Sequence, residues 1–116
     1  MLGAMASEPI EVSAARAAEL QAAGALLVDV RESYERDAGH IAGSRHIELA
    51  ALSAAAATIE RERPVVFYCR IGARSAMAAD AYRSAGYDAY SLAGGLLAWV
   101  QADLPLTPEG GHVANH

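Results

Sequence analysis

PVVFYCRIGARS, from Pro64 to Ser75, is the stretch from which the rest of this chain can be read. Val65 to Tyr68 is an unbroken apolar run with β-branched and aromatic side chains, as expected for a short strand of a parallel sheet buried on both faces. The run delivers Cys69, the chain's one cysteine, to a turn containing Gly72 and two arginines, after which helical spacing begins. Strand, turn and helix in that order aim successive backbone N–H groups and a positive helix N-terminus at the sulfur. Arg70 and Arg74 add fixed positive charge, so the turn favours a thiolate, and the thiolate is the nucleophile. An inert core cysteine belongs inside the apolar run. This one stands at its exit, beside arginines that are not buried cheaply without partners.

Working outward, a second apolar run, ALLVDV (Ala25 to Val30), reads as another central strand. Ala89 to Leu92 fits a further strand, His46 to Ile47 a shorter one, and Ile10 to Val12 an edge strand. Helical spacing links Leu49, Leu52, Ala56 and Ile59, and again Met77, Ala78, Ala81, Tyr82 and Ala85. Ser13 is placed to cap the first helix, with Gly24 and Gly86 as C-terminal stops. The expected order is strand, helix, strand, loop, strand, helix, strand, helix, strand, helix. That alternation predicts an α/β fold: an open, mainly parallel sheet of about five strands with helices on both faces. Ligands of such sheets bind beyond the carboxyl ends of the strands, where Cys69 would lie.

Composition narrows the chemistry. At 116 residues the chain is expected to form one domain, burying roughly two-thirds of its unfolded surface. We expect a flexible N-terminus over 1–8, a folded domain over 9–105 and a flexible tail over 106–116, because DLPLTPEGGHVANH is rich in Pro and Gly and should pack loosely or not at all. A single cysteine excludes an intrachain disulfide framework and a multi-cysteine metal cluster, and fits a reducing, cytoplasmic setting. The first residues hold no basic segment followed by an apolar core, and no stretch has the length needed to cross a bilayer. A net charge of −5 argues against nucleic acid or a membrane surface as partner. All nine basic residues are Arg, which excludes Schiff-base chemistry and the lysine-bearing phosphate loop.

With the cysteine loop on this framework, the chain resembles the rhodanese family of sulfurtransferases from about Glu11 to Pro105. LVDVRESYERDAGHIAGSRHI (Leu27 to Ile47) is similar to the family's first signature, a strand ending in Asp-x-Arg followed by an acidic residue and Gly-His-Ile-x-Gly. YCRIGARSAMAA (Tyr68 to Ala79) resembles its active-site loop and following helix, and LAGGLLAW (Leu92 to Trp99) its Gly-Gly turn and Trp. The resemblance implies a rhodanese-like fold with Cys69 as sulfur carrier. The same superfamily includes phosphatases and arsenate reductases, but a phosphatase needs five residues between Cys and Arg. Here Arg74 closes the loop after four, and Ser75 stands where that Arg would be.

On this reading Cys69 attacks a thiosulfate-like donor, holds the sulfur as a persulfide and yields it to cyanide, a cellular thiol or a protein. No cofactor is expected. Arg70 and Arg74 would hold the anionic donor, Arg74 being the stronger choice for a bidentate sulfonate contact. The N–H groups of Ile71, Gly72, Ala73, Arg74 and Ser75 would cradle the persulfide, with Gly72 allowing the tight turn. Asp29, ending a buried strand, is expected to bond backbone amides or Arg31 as structural support rather than to act as an acid. His40 and His46 lack ligands at recognisable metal spacing and read as scaffold, as does Trp99 under the Gly94-Gly95 turn. A non-catalytic interaction module is the alternative from another functional class; its sign would be loss of the cysteine.

Overall fold

A computed structural model describes residues 8–116, so most of the segment expected to be a flexible N-terminus lies outside the described residues. Five strands form one wholly parallel sheet: β1 (Glu11–Val12), β2 (Leu26–Asp29), β3 (Arg45–His46), β4 (Val65–Tyr68) and β5 (Ala89–Leu92). They lie in the order β1-β5-β4-β2-β3. The expected α/β architecture is present, and β4, which carries the cysteine at its exit, occupies the centre of the sheet. Asp29 pairs in register with Tyr68, so the carboxyl ends of β2 and β4 finish level with each other.

The alternation of side chains along each strand builds two apolar layers. On one face Val12, Leu27, Val66, Tyr68, Tyr90 and Leu92 pack under α1 (Ala14–Ala22) and under Leu96 and Trp99 of α5 (Gly95–Gln101). On the other, Val28, Val65, Phe67 and Ala89 pack under Ala78, Ala79 and Tyr82 of α4 (Ala73–Ser84), together with Leu52 of the short α3 (Leu52–Ala55). Phe67 is wholly buried and meets the Tyr82 ring edge-on at 4.9 Å. Truncation to Ala at such a position costs about 3 to 5 kcal/mol. The Ser13 hydroxyl caps α1 by accepting from the Arg16 N–H at 3.1 Å, and Gly24 and Gly86 take positive φ just past α1 and α4.

Three segments differ from expectation. The loop after β2 contains α2 (Ser33–Ala38), nucleated by a capping box in which the Glu32 and Glu35 side chains each accept from the other's backbone N–H. The helix expected from Leu49 to Ile59 is instead a 3-10 turn, α3 and a second 3-10 turn in succession. The tail expected to be loose is hydrogen-bonded to the body. Thr107 and His40 exchange both backbone hydrogen bonds at 2.8 and 2.9 Å, and the His112 N–H donates to the Ala38 carbonyl at 2.9 Å. Leu104, Leu106 and Val113 pack against the α1 and α5 side of the core. Glycine permits the close approach: a Cβ at Gly39 would stand 2.6 Å from the His112 carbonyl oxygen, and one at Gly111, in the stretch expected to be loose, 2.8 Å from that of Pro108.

Candidate active site

Cys69 is 1% exposed and sits where β4 gives way to the loop. Its sulfur accepts hydrogen bonds from the N–H groups of Gly72 at 3.1 Å and Ser75 at 3.4 Å. The Ser75 hydroxyl lies 3.6 Å away. Among the described residues, the N–H groups of Ile71, Ala73 and Arg74 make no hydrogen bond to Sγ itself; the sequence reading assigns them to a persulfide on it. Gly72 turns the chain into α4 at φ +110°, a conformation that suits glycine. The loop is also held from behind by the start of α5. The Leu96 N–H donates to the Cys69 carbonyl at 2.8 Å and the Leu97 N–H to that of Arg70 at 3.2 Å. This contact requires glycine at position 95, where φ is +62° and a Cβ would stand 2.6 Å from the Ile71 nitrogen and closer still to the Arg70 carbonyl oxygen.

The two loop arginines have different environments. Arg74 makes a fork-to-fork pair with the wholly buried Glu35, Nη1 to Oε1 at 2.8 Å and Nη2 to Oε2 at 2.9 Å. Burial opposes ionisation of Glu35, but the hydrogen bonds from Arg74 and from the Glu32 backbone N–H outweigh it and hold the carboxyl below its usual range. Arg70 makes no side-chain hydrogen bond or ion pair among the described residues, and its Nε is buried without a partner. Both arginines line the cavity that Cys69 lines; Arg74 is engaged there with Glu35, and Arg70 has no side-chain partner among the described residues.

A cavity of about 340 Å³ opens over the sulfur, lined by Cys69, Arg70, Ile71, Ala73, Arg74 and His116. Arg74 and His116 also line a neighbouring cavity of about 420 Å³ with Val30, Glu32, Glu48, Leu49 and Ala50. His116, set aside in the sequence reading with the loose tail, is thus part of the wall between them. Its Nε2 lies 3.4 Å from the Glu32 carboxylate, and Tyr34 Oη donates to the Asn115 carbonyl at 3.1 Å. Glu32, Glu35 and His116 bring potential metal-ligand atoms within 4.8 Å of one another, but the Glu35 oxygens are already bound by Arg74.

Behind the loop, Asp29 accepts from the Arg31 N–H at 3.0 Å, from its Nε at 2.8 Å and from its Nη2 at 2.7 Å, all of it buried. Arg31 Nη2 also reaches the Gly39 carbonyl at 2.8 Å, tying the β2 exit to the end of α2. His46 Nε2 donates to the Arg31 carbonyl at 2.7 Å, and His40 Nδ1 lies 3.0 Å from the Arg36 carbonyl, so neither points at the sulfur. Trp99 is buried and donates from Nε1 to the Pro105 carbonyl at 2.9 Å. Sequence reading missed Glu35 and Ser91. The spacing of Glu32 and Glu35 was a readable capping signal for the first, and a lone polar residue in a strand buried on both faces was one for the second.

Comparison with known proteins places this geometry. Residues 13–102 match the family described as the rhodanese-like domain. A sulfurtransferase of Allochromatium vinosum is 37% identical over 87 residues, covering 73% of this chain and 81% of that one. The human single-domain sulfurtransferase TSTD1 superposes with a TM-score of 0.74 at 32% identity, covering 81% of this chain and 97% of that one. A rhodanese-related protein of Thermoplasma volcanium superposes with a TM-score of 0.79 at 27% identity, covering 85% and 98%. Other relatives are longer: the chain spans 60%, 36% and 21% of three that are 41%, 43% and 38% identical.

Proposed function

Because the chain belongs to the rhodanese-like domain family, we propose that it moves sulfane sulfur from thiosulfate or a similar anionic donor through a persulfide on Cys69 to a thiophilic acceptor. The observation that supports this reading is the free Cys69, lining a cavity, with two backbone N–H groups donating to its sulfur and Arg70, unpartnered among the described residues, in the same cavity wall. The Cys69 thiolate attacks the outer sulfur of thiosulfate. A bond from Sγ to that sulfur forms, the donor's S–S bond breaks, and sulfite leaves with the bonding pair. An acceptor such as cyanide then attacks the outer sulfur, and the electrons of the Sγ–S bond return to Cys69. Sulfite departs as an anion, so no general acid is needed.

We assign the sulfonate end of the donor to Arg70, whose guanidinium has no protein partner among the described residues, with Arg74, held by Glu35, closing the loop. Against a phosphatase stands the loop length, with four residues rather than five between Cys69 and Arg74. A small thiol or a protein is the natural acceptor, and a reducing cytoplasmic setting would keep Cys69 free. Among the described residues no helix is long and apolar enough to cross a membrane.

The test is intact mass after thiosulfate, then after cyanide with thiocyanate assayed, for wild type and Cys69→Ser. Gain of one sulfur that requires Cys69 and is discharged by cyanide is expected. Absence of both sulfur gain and thiocyanate from folded, reduced protein rules out thiosulfate as donor and moves the case to another donor or to the interaction-module reading. Hydrolysis of an aryl phosphate without persulfide formation would favour the phosphatase instead.

A further inference from the structure

Ser91 lies on the face of β5 covered by α4, wholly buried, with apolar Phe67 and Ala89 as neighbours on that side of the sheet. A hydroxyl in such surroundings needs a partner, and the one it has is the equally buried Ser75 Oγ at 2.8 Å. Ser75 Oγ has two other polar neighbours, the Gly72 carbonyl at 3.2 Å and the Cys69 sulfur at 3.6 Å. If Ser75 donated to Ser91, the Ser91 proton would be left among apolar groups without an acceptor. If Ser91 donates to Ser75, both protons are used, the second going to the Gly72 carbonyl or to the sulfur. Only the second arrangement leaves no buried donor unmade.

We propose that Ser91 is a positioning residue for Cys69, fixing the Ser75 hydroxyl as a donor that turns from the Gly72 carbonyl to the sulfur when the sulfur carries charge. A thiolate draws a charge-assisted hydrogen bond that a neutral thiol does not. The sulfur then has a third donor beyond the Gly72 and Ser75 N–H groups, both when it attacks and when it leaves as the outer sulfur departs. The charged groups that otherwise face it are Arg70, Arg74 with Glu35 behind it, and His116 in the cavity wall, and none of them bonds to Ser91. This role belongs to the site used for sulfur transfer, but it acts on the resting thiol, so a protein that failed to take sulfur from thiosulfate would still reveal it.

The test is the ultraviolet thiolate absorbance of the full chain, with Cys69→Ser subtracted as blank, at a fixed pH on the rising limb of the titration. Ser91→Ala is expected to lower the ratio of thiolate to thiol by about threefold and Ser75→Ala by at least as much. Adding Ser91→Ala to Ser75→Ala should lower it no further, because Ser91 acts through that hydroxyl. An unchanged ratio in Ser91→Ala overturns the proposal. So does an equal fall in both backgrounds, which would mean that Ser91 acts by packing alone.

Discussion

Both terminal nitrogens of Arg74 meet the carboxylate of Glu35, a residue 39 positions earlier in the chain, at 2.8 and 2.9 Å. The pair joins the first turn of α4 to α2, so the shape of the cysteine loop depends on a helix that contributes nothing to the sheet. The Arg74 side chain is 19% exposed and that of Glu35 is wholly buried. The two partners therefore have unequal needs, and Glu35 is the group that cannot be left alone.

Removal of either partner should destabilise the fold. Arg74→Ala leaves a carboxylate buried without its counter-charge, and Glu35→Ala leaves a cavity and an unpaired arginine. We expect losses of about 2 to 4 kcal/mol, below the largest values for buried pairs because Arg74 retains some contact with water. Urea unfolding at neutral pH measures this; a shift under about 0.5 kcal/mol for both variants would place the pair with ordinary surface bridges.

The two loop arginines should separate in kinetics. Arg70→Ala is expected to raise KM for thiosulfate about tenfold with little change in unfolding midpoint. Arg74→Ala should lower stability and damage both half-reactions through the loop. Thiosulfate KM unchanged in Arg70→Ala but raised in a folded Arg74→Ala would return the sulfonate contact to Arg74.

Gly95→Ala should displace the loop without touching the sulfur. The added methyl group would overlap the Arg70 carbonyl, and the backbone there already has φ +62°. A loss of about 1 to 3 kcal/mol is expected from the strained backbone, and more if the Leu96 and Leu97 hydrogen bonds to the loop are broken. The rate of Cys69 persulfide formation should fall with it. Wild-type rate and stability together would mean that α5 does not support the loop.

Acid should weaken the fold through Glu35. Its folded pKa is depressed, so the stability it contributes is present above its unfolded value of 4.5 and is lost as pH falls from there through the folded value. Urea midpoints followed downward from neutral pH should drop over that range in wild type and drop less in Glu35→Gln, which has no proton to take up. Parallel curves for the two proteins would assign the acid loss to other carboxylates.

The sheet and the cysteine loop were legible because their signals are local: apolar runs of strand length, a turn glycine, and helical spacing resuming after Ser75. The lines of contact that complete the site were not, because they join residues far apart in sequence. Glu35 lies in a six-residue helix too short to show periodicity, and its partner cannot be guessed from spacing. The relation of Ser75 to Ser91 depends on strand register, which places Ser91 beside Phe67. The tail was misread for a different reason. Proline and glycine at its positions signal loose chain by composition, whereas here glycine at 111, with glycine at 39 opposite, lets two backbones touch.

That contact makes access to the sulfur depend on a position that never approaches it. Any side chain at Gly39 would meet the backbone at His112 and push the following residues outward, with His116 leaving its place in the cavity wall. On this account the residue at position 39 should influence the entrance to the site as well as the path of the main chain. A variant with alanine at position 39 would present the same cysteine loop behind a wider mouth. Comparing the largest thiol that discharges the persulfide of wild type and of Gly39→Ala would show how far the tail, rather than the loop, selects the acceptor; an identical size limit would mean that it does not.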